Sequence, residues 1–357
     1  MHRKYKIIIV IPDLKGNGAE RVMLNLADLF DDEYFDVNFI VFKDHIELNA
    51  RKPIKYQHFR YQMRFIPRSF RANIVAPLLD YFIKKNHGEP DLVLSNLLPS
   101  DRILSLSKLK NVYLVIHNVP SYDFFKNENE KNKIDNKKLR QLQIIYTRKP
   151  AIAVSKGVKE DFEQWFNNDN VYQIYNPVND NYVFEKSQEE IPTPEDSYII
   201  HVGKFKEQKR HDVLVRAYSK SRIKEKLVLI GQGDLKEKIE RLVDSLNLAD
   251  KVLFLDYQKN PYPFIAKAKY LVLSSEFEGL GMVILEAMAL KTPVISTNCL
   301  SGPSEILPSS NLCEVNNINQ LAKLMFMASE NPEMFLVDIK KEFKDEIILK
   351  KYQDLIV

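Results

Sequence analysis

Two α/β domains, each a parallel sheet covered by helices, are what the sequence predicts, and three observations carry that expectation. The chain has 357 residues, enough for two globular domains at about 100–200 residues each. Short apolar runs alternate with amphipathic helical stretches along its length, the pattern of βα units around a parallel sheet. A polar stretch with two prolines at 185–196 (EKSQEEIPTPED) interrupts the alternation and reads as a linker.

In the first half, apolar runs predict strands near 5–12, 36–42, 91–95, 111–116, 150–154 and 171–174. Helical periodicity falls near 18–30, 72–87, 99–108 and 156–166. Segment 120–147 is charged and helix-compatible, with a mobile stretch expected across Lys126–Lys138. Beyond the linker the alternation restarts. Strands are predicted near 197–203, 226–230, 251–255, 269–273 and 292–296, and helices near 209–220, 234–246, 260–267, 281–290 and 317–329. Residues 338–356 alternate Lys/Glu with Ile, Leu, Phe and Tyr and read as a last helix. The expected organisation is therefore a Rossmann-like domain over 1–184, the linker 185–196, a second Rossmann-like domain over 197–337, and a C-terminal helix over 338–357 that packs back toward the first domain. In such open sheets ligands sit at the carboxyl ends of the strands, here expected to face an interdomain cleft.

Composition removes several classes. An apolar fraction of 45% is ordinary for a folded protein and argues against disorder, collagen-like or disulfide-scaffold chains. Cys299 and Cys313, the only cysteines, cannot make a disulfide framework, and no Cys/His cluster suggests zinc. The N-terminal run MHRKYKIIIV lacks the features of a signal peptide, and no stretch approaches 18 uncharged apolar residues. A cytoplasmic protein, soluble or peripheral on a membrane, is expected. Charge is unevenly spread: residues 51–85 hold nine Lys/Arg against one acid, Asp80, a net +8 in a chain whose total is +4.

Three constellations could carry chemistry. Gly16-Asn17-Gly18-Ala19-Glu20-Arg21 follows a strand and opens a helix, where glycines let backbone approach a ligand and free N–H groups favour an anion. It lacks the third glycine of a dinucleotide fingerprint, Arg21 standing there, and an ordinary tight βα turn is the alternative reading. Gly203-Lys204-Phe205-Lys206-Glu207-Gln208-Lys209-Arg210 places two ammonium groups, Lys204 and Lys209, beside a helix start, a plausible diphosphate site or else a solvated basic loop. The most informative stretch is Ser274 to Ala289. Glu278 precedes a turn bracketed by Gly279 and Gly281, and Glu286 interrupts the apolar helix that the turn launches. A carboxylate on such a buried helix is costly unless it accepts hydrogen bonds, and sugar hydroxyls are apt donors. The helix start from Gly279 through Leu280 and Gly281 to Met282 meanwhile favours a phosphate.

The Glu-x7-Glu motif, GNGAERV at the N-terminus, HVGKFKEQKR, LIGQGDLKEKIERL and TPVISTNCLSGPSEIL together resemble the family-4 retaining glycosyltransferases of the GT-B fold. The matches run in the family's order from residue 7 to about 330, loosely over 44–90 and 118–147, where the family varies to suit its acceptors. The resemblance implies that Glu286 binds the ribose hydroxyls of a nucleotide-sugar donor and Glu278 hydroxyls of its sugar. Lys204 and Lys209 then hold the diphosphate, helped by backbone amides of Leu280, Gly281 and Met282, with the Gly16–Gly18 loop closing over it. His117, at a strand end in VIHN, matches the family's histidine beside the reacting sugar; a structural polar residue is the alternative. Gly233, in Gly231-Gln232-Gly233, reads as a base or phosphate contact or a plain turn. Ser301-Gly302-Pro303-Ser304-Glu305 reads as structural. One departure from the family is Lys204, usually Arg, which keeps the charge but loses the bidentate fork.

No DxD motif occurs, so the lysines and the helix start carry leaving-group charge, and metal-independent transfer with no cofactor is expected. The resemblance implies front-face transfer with retention from a UDP-linked sugar to a lipopolysaccharide, capsule or other lipid-linked glycan. The basic segment, with Arg60, Arg64, Arg68, Arg71, Lys84 and Lys85 among Tyr and Phe, suits an anionic inner-membrane surface or acceptor; a solvated face is the alternative. No nucleic-acid-binding signature accompanies it. A sugar-nucleotide epimerase and a non-catalytic partner subunit of the same fold are the rivals. Both glutamates being present argues against the second.

Overall fold

The computed structural model describes residues 3–16, 18–45, 52–61, 68–125 and 136–356. The chain divides into two compact units, one of residues 1–177 with 342–357, the other of 178–341.

The first unit runs β1 (Tyr5–Ile11), α1 (Gly18–Leu29), β2 (Phe35–Val41), β3 (Tyr56–His58), α2 (Arg68–His87), β4 (Leu92–Asn96), α3 (Leu97–Leu104), β5 (Val112–Ile116), α4 (Pro120–Phe125), α5 (Asn136–Tyr146), β6 (Ala151–Ala153), α6 (Lys156–Phe166) and β7 (Val171–Gln173). All strands pair in parallel in the order β3-β2-β1-β4-β5-β6-β7. Helices cover both faces of a parallel sheet, which is why Ile7 to Ile11 form an unbroken apolar run with no exposed surface. One core joins Ile8, Val10, Ile40 and Val93 to Val75, Leu79 and Ile83 of α2.

The second unit runs α7 (Asp180–Ser187), β8 (Tyr198–Val202), α8 (His211–Ser221), β9 (Lys226–Ile230), α9 (Lys236–Ser245), β10 (Val252–Leu255), α10 (Tyr262–Lys267), β11 (Leu271–Leu273), α11 (Met282–Ala289), β12 (Val294–Thr297), α12 (Pro303–Ile306), β13 (Leu312–Cys313) and α13 (Ile318–Glu330). Its parallel sheet has the order β10-β9-β8-β11-β12-β13. Both sheets change direction beside their first strand, between β1 and β4 and between β8 and β11. The carboxyl ends flanking those switch points are where open α/β sheets hold ligands.

Several expectations need correction. The stretch 185–196 is not linker throughout: α7 extends to Ser187, started by Asn179, whose side chain accepts from the Tyr182 N–H, and packed on α10 and α11. The units part at 177/178, upstream of that stretch. Residues 338–356 are not one helix. A 3-10 turn over Lys341–Phe343 buries Phe343 against Tyr175, and α14 (Asp345–Gln353) follows, touching α1. The short edge strands β3 and β13 carry too few residues for a periodic signal and went unpredicted. Of the Lys126–Lys138 stretch, residues 126–135 lie outside the described residues. No helix among the described residues is long and apolar enough to cross a membrane.

Candidate active site

In the second unit three loops meet at the carboxyl ends of β8, β9 and β11. The loop after β8 curls into a 3-10 turn, Glu207–Lys209, before α8. It is fastened to the loop after β11 at three points. Ser274 Oγ donates to the Lys209 carbonyl at 2.7 Å, Glu276 N–H to the Gln208 carbonyl at 2.8 Å, and Gln208 Nε2 to the Phe277 carbonyl at 2.9 Å. This lacing brings together two residues 69 positions apart: Lys209 Nζ lies 2.6 Å from Glu278 Oε1. Ser275 Oγ donates to the same oxygen at 2.6 Å. Among the described residues Glu278 Oε2 takes no bond, so the carboxylate keeps one oxygen for a further donor. The pair is nearly buried, so it is screened far less than a surface ion pair.

Beyond Glu278 the chain turns at Gly281, whose φ of 85° is left-handed, and enters α11 with no side-chain cap. The first amides of that helix are therefore not taken up by a capping side chain. The turn is braced by the next loop: Ser301 Oγ donates to the Gly279 carbonyl at 2.9 Å, and Glu278 N–H to the Leu300 carbonyl at 3.3 Å. A Cβ on Gly302 would stand 2.4 Å from the Leu280 carbonyl oxygen, so only glycine lets the two loops close. Ser301-Gly302 thus supports the turn. Glu286 sits one helical turn beyond Met282 on α11, with Tyr262 Oη of α10 at 3.4 Å from its Oε1. Lys204 is half-buried on the β8 loop.

Gly233 has a packing role. A Cβ there would lie 2.6 Å from the Phe205 carbonyl oxygen, and one on Gly231 would lie 2.1 Å from that of Gly203. Those approaches let Gly203 N–H and Phe205 N–H donate to the Ile230 and Gln232 carbonyls, locking the β8 and β9 loops together. Beneath the lysine loop lie His201 and His211, both buried, with ring centroids 4.6 Å apart; His211 also stacks on Phe205 at 4.3 Å. Burial holds His201 down to about 4 and His211 well below its ordinary value, the nearby Lys209 cation adding to both, so the layer under the loop is neutral. Arg210 pairs with Asp212 at 3.0 Å.

In the first unit Gly16 and Gly18 flank the start of α1. Gly16 N–H donates to the buried Glu20 carboxylate at 2.8 Å, and a Cβ on Gly18 would meet nothing within 4 Å. The space above Gly18 is open; Asn17 lies outside the described residues. His117 follows β5, its Nε2 2.8 Å from Asn96 Oδ1 at the end of β4, and burial pushes its pKa down to about 4. Asn96, Ser275 and Tyr262 are the residues that reading the sequence missed. Ser275 bonds Glu278 only three residues on, through a loop conformation that no motif announces, Tyr262 opens α10, 24 positions from its partner Glu286, and Asn96 follows an apolar run with no motif around it.

On the basic segment, Arg60 Nε lies 3.3 Å from His58 Nδ1, Lys84 pairs with Glu89 at 2.6 Å, and Lys85 stands over the Tyr81 ring. Arg64 lies outside the described residues; Arg68 opens α2, on which Arg71 is half-buried. Alongside these cations α2 exposes Phe70 (60%), Ile74 (41%), Leu78 (47%) and Tyr81 (64%), spaced along one helical face.

Comparison with known proteins agrees with the fold. Residues 16–182 match the Glycosyltransferase Family 4 model, and residues 183–344 the model of glycosyl transferases group 1. The chain is 29% identical over 326 residues, 88% of each chain, to an N-acetylgalactosamine-N,N'-diacetylbacillosaminyl-diphospho-undecaprenol 4-alpha-N-acetylgalactosaminyltransferase of Campylobacter jejuni. It is 32% identical over 166 residues to the lipopolysaccharide 1,6-galactosyltransferase of Escherichia coli K12, covering 44% of this chain and 45% of that one. Among solved structures, Anabaena HepE in complex with UDP-glucose superposes with a TM-score of 0.75 at 17% identity, over 98% of both chains. Its two matched halves and its two parallel Rossmann-like sheets place this chain among the glycosyltransferases of the GT-B fold, with a Family 4 first half and a group 1 second half.

Proposed function

We propose that this glycosyltransferase moves a sugar, with retention and without a metal, from a UDP-sugar to a bacterial surface glycan or lipid-linked acceptor. The observation that carries the reading is the Lys209–Glu278–Ser275 cluster beside the uncapped start of α11. A cation, a helix N-terminus and an oriented carboxylate there meet what a diphosphate and its sugar present. The second unit is the donor domain: Lys204, Lys209 and the amides of Leu280 to Met282 hold the diphosphate, Glu278 Oε2 accepts from a sugar hydroxyl, and Glu286 from the ribose. The first unit binds the acceptor, and the family resemblance gives its Gly16 and Gly18 a diphosphate contact and its His117 a place beside the reacting sugar.

Cationic charge at the diphosphate does the work that a DxD-bound metal does elsewhere. The departing phosphate takes the acceptor's proton, so no protein nucleophile is needed. A lipid-linked acceptor is supported by the activity of the Campylobacter jejuni relative and by α2, whose exposed apolar stripe lies among Arg71, Lys84 and Lys85. Such a face suits an anionic leaflet, at about 1 kcal/mol for each cation near the surface. Binding and slow hydrolysis of UDP-, GDP- and ADP-sugars, in EDTA, test the reading. Saturable binding of a UDP-sugar and metal-free release of UDP, both lost in Glu286→Ala, are expected. Turnover abolished by EDTA, or UDP-sugar binding unchanged in Glu286→Ala, would overturn it.

A further inference from the structure

We propose that Asn96 is a positioning residue for the transfer: it holds His117 as the neutral tautomer protonated on Nε2, leaving Nδ1 as the ring's one acceptor, which takes a hydroxyl of the bound sugar. The inference rests on the proposed placement of His117 beside the reacting sugar. Asn96 ends β4 and is fully buried. Its amide nitrogen lies 3.1 Å from the Leu94 carbonyl oxygen and 3.3 Å from that of Val10. Both carbonyls only accept, so the nitrogen must face them, and the amide oxygen is turned toward His117. That oxygen only accepts as well, and His117 Nε2, 2.8 Å away, must carry the proton of the bond.

A neutral ring protonated on Nε2 has its lone pair on Nδ1. That atom is buried and has no partner among the described residues. A hidden acceptor left without a donor is destabilising, and an arriving hydroxyl removes that cost. A charged ring would instead bury an Nδ1–H with nothing to receive it, and burial already holds this imidazole neutral down to about pH 4. The neighbourhood is also strained and braced. Leu97, next to Asn96, adopts a φ of 67°, left-handed for a bulky residue, and strain of this kind persists where the surroundings require it. Ser95, on the other side, donates to the buried Asp101 at 2.7 Å, anchoring the strand end.

The test is the 15N spectrum of the full chain labelled at histidine, with His117 assigned by its loss in His117→Gln. The Nε2–H tautomer is expected at neutral pH, with the Nδ1 signal moving toward the hydrogen-bonded range when the turned-over UDP-sugar binds. Asn96→Asp sets a carboxylate against Nε2–H, charges the ring and makes Nδ1 a donor. Its kcat should fall about tenfold or more, while donor KM moves less than about twofold. An Nδ1–H tautomer in the wild type overturns the proposal, as does a wild-type kcat in a folded Asn96→Asp whose ring is charged. The wild-type spectrum decides the tautomer even if that variant does not fold. Full turnover by His117→Gln alongside an Nε2–H wild-type ring would instead refute the placement of His117 at the sugar, leaving the Asn96 bond as a structural one.

Discussion

Glycines that look alike in sequence do different work. Gly233 sits 2.6 Å, by its missing Cβ, from a carbonyl oxygen of a laced loop, whereas Gly18 has open space above it. Gly233→Ala should therefore destabilise by about 1–3 kcal/mol, read as a lower Tm, because backbone has to move. Gly18→Ala should leave Tm unchanged or raise it, by about 0.5–1 kcal/mol, since helices favour Ala, while weakening UDP-sugar binding if the diphosphate lies over that turn. Glu278 is held at Oε1 by Lys209 and Ser275. Lys209→Met strips its cation and leaves a carboxylate buried without charge compensation. Donor turnover should drop about 100-fold or more, with a lower Tm, and Lys209→Arg should recover part of both. Turnover unaffected by Lys209→Met would remove the lysine from the diphosphate.

At the scale of elements, α2 has two apolar sides. Val75, Leu79 and Ile83 enter the core, while Phe70, Ile74, Leu78 and Tyr81 face outward beside Arg71, Lys84 and Lys85. Reading 51–85 as cations among Tyr and Phe includes Phe70 and Tyr81, but not Ile74 and Leu78, which join them into one stripe. The structure also pairs Lys84 with Glu89 and Lys55 with Asp36, which reduces the field the cluster presents. If this face meets a membrane, Leu78→Ser with Tyr81→Ser should lower binding to vesicles containing anionic lipid about tenfold or more, with a small change in Tm by comparison, because both side chains are largely exposed. Equal binding by the variant, or equal binding to zwitterionic vesicles, would refute a membrane role. In the second unit the laced loops of β8, β9 and β11 share backbone bonds, so this end of the sheet is expected to open as one unit in hydrogen exchange.

Over the whole molecule, buried titratable groups set a pH window for stability. Burial lowers His117 and His201 from 6.5 to about 4, so between those values the unfolded chain binds protons that the native one refuses. Stability is full above about 6.5 and falls as pH drops toward 4. Asp101 has the opposite sign. Burial raises it from 3.8 to about 8 despite bonds from Ser95 and Tyr146, so its native form keeps a proton that the unfolded chain loses. That contribution is full below 3.8 and is lost as pH rises to about 8. The Tm of Asp101→Asn relative to wild type should therefore climb between pH 5 and 8, measured by thermal melts; a flat difference would place the Asp101 pKa near that of an ordinary carboxylate.

The alternation of β-branched runs with amphipathic stretches determined two parallel α/β sheets, because strands buried on both faces have no other composition open to them. The order of motifs likewise named the loops at the strand ends, where Lys209, Glu278 and His117 lie, and the helix α11 that carries Glu286. Which of those residues meet was decided only by tertiary structure. Lys209 and Glu278 are 69 positions apart, Asn96 and His117 are 21 apart, and each pair exists because neighbouring parallel strands deliver their carboxyl ends side by side. The boundary at 177/178, the helix α7 inside the expected linker and the division of the C-terminal segment were equally beyond local patterning. Periodicity reports the face a segment buries; the partner that covers it is chosen by the whole fold.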